Sequence, residues 1–153
     1  MTQPRDVRDR LKLNITPELY DAIRALWVAH SKAEDARDLD GLIATLSQDC
    51  VYEIVGTDLR WEGHEGARTF YTTLLSAFPD VDFDLQDIVI GPQGVFEVAN
   101  MTATFTGEWQ GVQGVGQRIE TTIMIYFPWD AAAEKFSGEK IYVDTNALTQ
   151  SGS

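Results

Sequence analysis

The residue order predicts an α+β domain in which one curved antiparallel sheet packs against three N-terminal helices. Three observations carry this. Helix-period stripes are confined to the first half of the chain, the second half reads as strands joined by turns, and no crossover helix of the kind a parallel sheet needs separates those strands. Residues 1–15 are expected to form an arm, and residues 16–153 one domain without repeat or linker.

Thr16-Pro17-Glu18 opens the first helix with a capping hydroxyl, a proline at the first helical position and an acid in the first turn. Leu19, Ile23, Leu26, Trp27 and His30, followed by Ala33, Glu34 and Arg37, recur at spacings of three and four, so the helix runs to about residue 37 with an apolar stripe and a polar tail. Asp38-Leu39-Asp40 caps a second, short helix over residues 41–46, and residues 50–55 alternate as a strand. Arg60-Trp61-Glu62 is a short extended piece. Ala67, Phe70, Tyr71, Leu74, Leu75 and Phe78 then place the apolar face of a third helix, which Pro79-Asp80 stops.

Beyond it, strands are expected at 81–90, 95–106, 117–128 and 141–148, with a turn at 91–94 and a glycine-rich connection at 107–116. The connection over residues 129–139 exceeds a tight hairpin and is expected to be a mobile loop or extended hairpin.

Composition narrows the function classes. With 24 acidic against 12 basic residues, the net charge of −12 repels phosphate backbones and anionic lipid, which argues against nucleic-acid and membrane-surface partners. The single cysteine, Cys50, forms no internal disulfide and no thiolate metal cluster, and reads as a small buried hydrophobe. The two histidines, His30 and His64, lie on separate elements without metal-ligand spacing, so no metal is expected. No nucleophile-elbow motif is present, and the glycine-rich connection joins two strands, so it is no phosphate loop. The charged N-terminus lacks the apolar core of a signal peptide, and a cytoplasmic location is expected.

Within this frame the chain resembles the SnoaL-like polyketide cyclase family of the nuclear transport factor 2-like superfamily. The resemblance rests on Asp38-Leu39-Asp40-Gly41-Leu42, Trp61-Glu62-Gly63-His64-Glu65-Gly66 and Ala77-Phe78-Pro79-Asp80-Val81. It extends to Thr104-Phe105-Thr106-Gly107-Glu108-Trp109 and to Asp144-Thr145-Asn146-Ala147-Leu148-Thr149-Gln150-Ser151-Gly152. It implies a cone of the cystatin-like type, whose curved sheet and helices enclose an apolar pocket for small hydrophobic ligands. It also implies an acid/base carboxylate in the last strand, at the position Asp144 holds, with Leu148 and Gln150 in register and Ser151 where the family has leucine. The family's histidine on an earlier strand is Phe105 here, a departure that touches the chemistry more than the fold. The glycine-rich connection resembles the family's loop at the pocket mouth.

Strand alternation puts Tyr142, Asp144 and Asn146 on one face. If that face meets the cavity, a desolvated Asp144 suits proton abstraction beside a carbonyl; if it is the convex face, Asp144 is solvated. His30 is a candidate for hydrogen-bonding ligand or Asp144, against the reading of a satisfied core histidine. Tyr52 rather than Glu53 is expected to face inward, its phenol able to stabilise an enolate oxygen. His64 is read as structural. Trp27, Trp61, Phe78, Phe105, Met124 and Tyr126 are candidates for the pocket wall, each with core filling as the alternative. Together these lead to a cofactor-free enzyme performing acid/base chemistry on a small hydrophobic carbonyl compound, by aldol-type cyclisation, isomerisation or hydration and dehydration. The alternative is a non-catalytic small-molecule-binding or dimeric interaction module on the same fold, to which Phe105 points. Residues 118–127 leave both sheet faces partly apolar, from which a homodimer is expected.

Overall fold

The computed structural model describes residues 6–150. Residues 1–5 of the expected arm, and Ser151-Gly152 of the family-like ending, lie outside them. Within the arm, Val7–Lys12 forms a 3-10 turn, and Gln93 Nε2 donates to the Arg10 carbonyl at 3.2 Å, tying the arm to a β-hairpin.

Helix α1 (Pro17–Asp35) starts where the sequence directs: Thr16 Oγ1 accepts the Leu19 N–H at 3.1 Å, and Pro17 needs no amide partner there. Helix α2 (Leu39–Ile43) begins earlier than the expected 41–46, because the Asp38 carboxylate accepts the Gly41 N–H at 3.0 Å and so fixes the first turn at Leu39. Strand β1 (Leu46–Ile54) therefore also begins earlier than residue 50. Strand β2 (Arg60–Glu62) leads into α3 (Gly63–Ala77), where Ala67, Phe70, Tyr71 and Leu74 of the predicted stripe are buried, Leu75 is half-buried, and Ala77 is buried as well. His64 serves the scaffold, with Nε2 at 3.0 Å from the Leu46 carbonyl oxygen.

The second half forms β3 (Asp82–Gly91), β4 (Gly94–Phe105), β7 (Gln117–Asp130) and β8 (Lys135–Val143). Two-residue strands β5 (Glu108–Trp109) and β6 (Val112–Gln113) make a small hairpin inside the glycine-rich connection. The six-stranded sheet runs β2-β1-β8-β7-β4-β3. Every pair in it is antiparallel except β1 with β8, which is parallel. The wholly antiparallel expectation is corrected at that pair. Most of the chain intervenes between β1 and β8, so the long connection that parallel pairing requires is available.

Of the two forms expected over 129–139, the structure shows the extended hairpin. Strand β7 continues through Trp129 and Asp130, and only residues 131–134 form the turn. Asp130 Oδ1 closes it by accepting the N–H groups of Ala132 at 3.0 Å and Ala133 at 3.1 Å, while Trp129 meets Phe136 edge-on at 5.8 Å.

Alternation assigns the two faces of the sheet. Val95, Glu97, Ala99, Met101, Ala103 and Phe105 of β4, and Ile119, Ile123, Ile125, Phe127 and Trp129 of β7, are buried toward the helices. Phe96, Met124 and Tyr142 lie on the outer face and are exposed.

Candidate functional site

The helices close over the concave face of the sheet and leave a narrow apolar cavity of about 30 Å³. Its wall is aliphatic and aromatic, including Ile54, Phe70, Leu74, Met101, Trp109, Ile123, Ile125 and Leu148. Two acids interrupt it, Glu34 from α1 and Glu139 from β8. A second, more polar crevice adjoins it, lined by Trp27, His30, Ser31, Glu34, Asp35, Phe83, Leu85 and Glu97.

Register explains how the acids arrive there. Glu97, Ile125, Ile141 and Ile54 form one row across β4, β7, β8 and β1. Glu139 lies two residues before Ile141, on the same inward face, directly paired with Tyr52. Glu34 follows His30 by one helical turn.

Glu139, only 3% exposed, ends a directional chain of hydrogen bonds. Thr45 Oγ1 donates to the Leu42 carbonyl at 2.7 Å, so it accepts from His30 Nδ1–H at 2.8 Å. The network thereby assigns the proton to Nδ1 and turns the other ring nitrogen toward the acid. His30 Nε2 stands 3.1 Å from Glu139 Oε2. Tyr71 OH donates to the same Oε2 at 2.8 Å and lies 3.2 Å from His30 Nε2. With the Tyr71 proton so committed, Tyr52 OH donates to Tyr71 at 2.7 Å. Burial, and then the charge of Glu139, hold both phenols well above their usual range, so they remain donors.

Burial, reinforced by Glu139 and Asp35 and opposed by Arg37, pushes Glu34 up to about 8. Glu97, a buried acceptor for the Trp27 indole, is likewise pushed up to about 8 by burial, with Glu139 and Glu34 adding to it. Among the described residues no group of three or more His, Cys, Asp and Glu side chains is arranged to hold a metal ion.

Of the residues selected from sequence, the structure brings His30 and Tyr52 into this network and puts Trp27 on the crevice wall. Asp144 is elsewhere. Strand β8 ends at Val143, and the exposed Asp144 caps a 3-10 turn (Thr145–Leu148), its carboxylate accepting the Asn146 N–H at 3.0 Å. The expected strand 141–148 and its shared inward face for Tyr142, Asp144 and Asn146 are corrected: Tyr142 and Asn146 are exposed too. Met124 and Tyr126 share the outer side, the Tyr126 hydroxyl donating to the Gln93 carbonyl at 3.2 Å. Phe105 and Phe78 are fully buried and stack with ring centres 5.1 Å apart, and Trp61 packs on Phe70 at 5.0 Å, so these three back the core and stand outside the cavity wall.

Glu139, Glu34, Glu97 and Tyr71 were not selected from sequence as site residues. The available signal was phase: an acid in step with Ile141 and Val143, and another in step with Val95, Ala99 and Met101, each interrupting an otherwise buried face.

The model of the SnoaL-like polyketide cyclase family matches residues 18–151. The chain belongs to the SnoaL-like polyketide cyclase family. Solved structures agree on the fold, which is that of the nuclear transport factor 2-like superfamily. A candidate SnoaL-like polyketide cyclase from Jannaschia sp. CCS1 superposes with a TM-score of 0.77 at 17% identity, over 89% of this chain and 94% of that one. AclR, a candidate hydroxylase from Streptomyces galilaeus, gives 0.68 at 23% identity over 84% and 93%. An LEH-like epoxide hydrolase from M. tuberculosis gives 0.65 at 20% identity over 86% and 89%. A search of curated protein sequences finds no match. No helix among the described residues is long and apolar enough to cross a membrane.

Proposed function

We propose that this SnoaL-like chain is a cofactor-free acid/base enzyme acting on a small hydrophobic carbonyl compound, with Glu139 as the group that moves the proton. The observation that carries this reading is a buried carboxylate at the edge of an apolar cavity, tied on one oxygen to His30 and Tyr71. A carboxylate removed from water is a stronger base toward a carbon acid, and the imidazole and phenol orient it. Proton removal beside a carbonyl gives an enolate, the common first step of aldol-type cyclisation and isomerisation. Structural neighbours named as a cyclase, a hydroxylase and an epoxide hydrolase support an enzymatic role.

The test uses acetophenone, an apolar ketone with exchangeable hydrogens beside its carbonyl. The protein should accelerate deuterium incorporation from D2O, read by NMR. Glu139→Gln keeps shape and removes the base, and should lower the rate by about a hundredfold or more with little change in melting temperature. A folded Glu139→Gln variant that exchanges at the wild-type rate would sink the assignment.

The second reading, a binding module without turnover, is favoured by the narrowness of the cavity and by Phe105 at the family's histidine position. It predicts saturable binding with no exchange. The proposal extends to a homodimer paired through the outer sheet face, supported by the exposed Phe96, Met124 and Tyr142 there.

A further inference from the structure

Two carboxyl groups face the apolar cavity, and only one is engaged. Glu139 is held by His30 and Tyr71. Glu34 has no hydrogen-bond partner for its carboxyl among the described residues. Arg37, the cation whose field reaches it, donates instead to the carbonyl oxygens of Glu34, Pro79 and Val81, the last at 2.7 Å. Glu34 is also shared by both hollows, lining the apolar cavity on one side and the polar crevice on the other. Every other residue of the cavity wall except Glu139 is apolar.

We propose that Glu34 is the proton-donating acid of the site: a neutral carboxyl that hydrogen-bonds the carbonyl oxygen of a ligand in the apolar cavity and is reloaded from solvent through the crevice. This rests on the acid/base reading of Glu139. An enolate forming in an apolar cavity needs a donor at its oxygen, and Glu34 is the cavity-lining group without a prior partner. In the step, the C–H bond beside the carbonyl breaks and its proton passes to Glu139. That electron pair becomes the C=C bond, the C=O π pair moves onto oxygen, and oxygen takes the Glu34 proton. Reversal returns both protons, so no further reactant enters. Two carboxyls in one cavity divide into base and acid when their surroundings separate their proton affinities.

The groups facing Glu34 are Glu139 from β8, Glu97 from β4, His30, Asp35 and Arg37 from α1 and its end, and the phenols of Tyr52 and Tyr71. Burial and the neighbouring acids push Glu34 up to about 8, which leaves it protonated at neutral pH.

The experiment follows the Glu side-chain carboxyl 13C resonances against pH, with Glu34 assigned by its loss in Glu34→Gln, and measures acetophenone binding in parallel. The Glu34 resonance should titrate near 8. Wild-type affinity should be constant below that midpoint and fall about tenfold per pH unit above it. In Glu34→Gln, whose amide donates at every pH, the affinity should be flat; in Glu34→Leu it should be flat and about tenfold weaker. Glu139→Gln should lose deuterium exchange and keep a pH-dependent binding whose midpoint moves down, because the Glu139 charge helps raise Glu34. A Glu34 midpoint in the ordinary carboxylate range overturns the inference, as does absent or pH-independent acetophenone binding in the wild type. Undiminished exchange in Glu139→Gln, with Glu34 behaving as described, overturns only the role of Glu139.

Discussion

At the residue scale, Thr45 decides which nitrogen of His30 meets the acid. Its hydroxyl proton is committed to the Leu42 carbonyl, so its lone pair is what His30 Nδ1–H finds at 2.8 Å. Thr45→Val keeps the shape and removes the acceptor, leaving a buried N–H unpaired at a cost of about 1–3 kcal/mol. It should also free the ring to change tautomer, visible as a shift in the two imidazole 15N resonances, whereas Thr45→Ser should retain both the stability and the tautomer. Legibility at this scale divides by what sets a side chain's direction. His30 sits in a helical stripe and Tyr52 in a strand alternation, and both periods are visible in the sequence. The hydroxyl that orients His30 comes from the connection between α2 and β1, and no local pattern announces such a bond.

At the scale of elements, the site depends on β8, and β8 is the element least legible from sequence. Its inward positions switch parity at Gly138: Phe136 is buried on one side of it, Glu139 and Ile141 on the other. Gly138 has φ 111°, and a Cβ there would collide with the Val51 carbonyl oxygen on β1. A bulge that admits close strand approach also breaks the period-two pattern, so the segment reads as a loop and Glu139 falls outside any strand. Asp144, the acid that the family resemblance points to, instead caps a 3-10 turn and ends the strand at Val143. By contrast α1, α3 and β4 carry uninterrupted periods and are readable almost to their ends. Gly138→Ala should therefore destabilise the domain by roughly 3 kcal/mol or more, through steric collision and a strained backbone together. Thermal unfolding checks this. Because the collision lies next to Glu139, acetophenone exchange should fall even at temperatures where the variant is still folded.

At the scale of the whole molecule, the site sets a pH dependence of stability that the net charge of −12 alone does not give. Glu34 and Glu97 are each raised from 4.5 to about 8 in the folded state. Between those values the folded protein keeps protons that the unfolded chain has released. The unfolded state then binds fewer protons, so stability falls as pH rises from about 4.5 to about 8, by at most about 1.4 kcal/mol per unit for each group, and levels off above. Asp80 acts with the opposite sign. Its carboxyl is lowered below 3.8 by bonds from the Thr104 amide and hydroxyl, so its contribution is lost only on the acid side of that window. Melting temperature should therefore be higher near pH 5 than near pH 8, and Glu34→Gln with Glu97→Gln should flatten that slope. General self-repulsion among surface acids would also weaken the fold at high pH, but it would survive these two substitutions nearly intact. A slope unchanged in the double variant would mean that the surface, and not the buried acids, sets it. A slope that disappears would show that the fold gives up stability to keep Glu34 and Glu97 protonated, the state in which Glu34 serves the proposed proton donation.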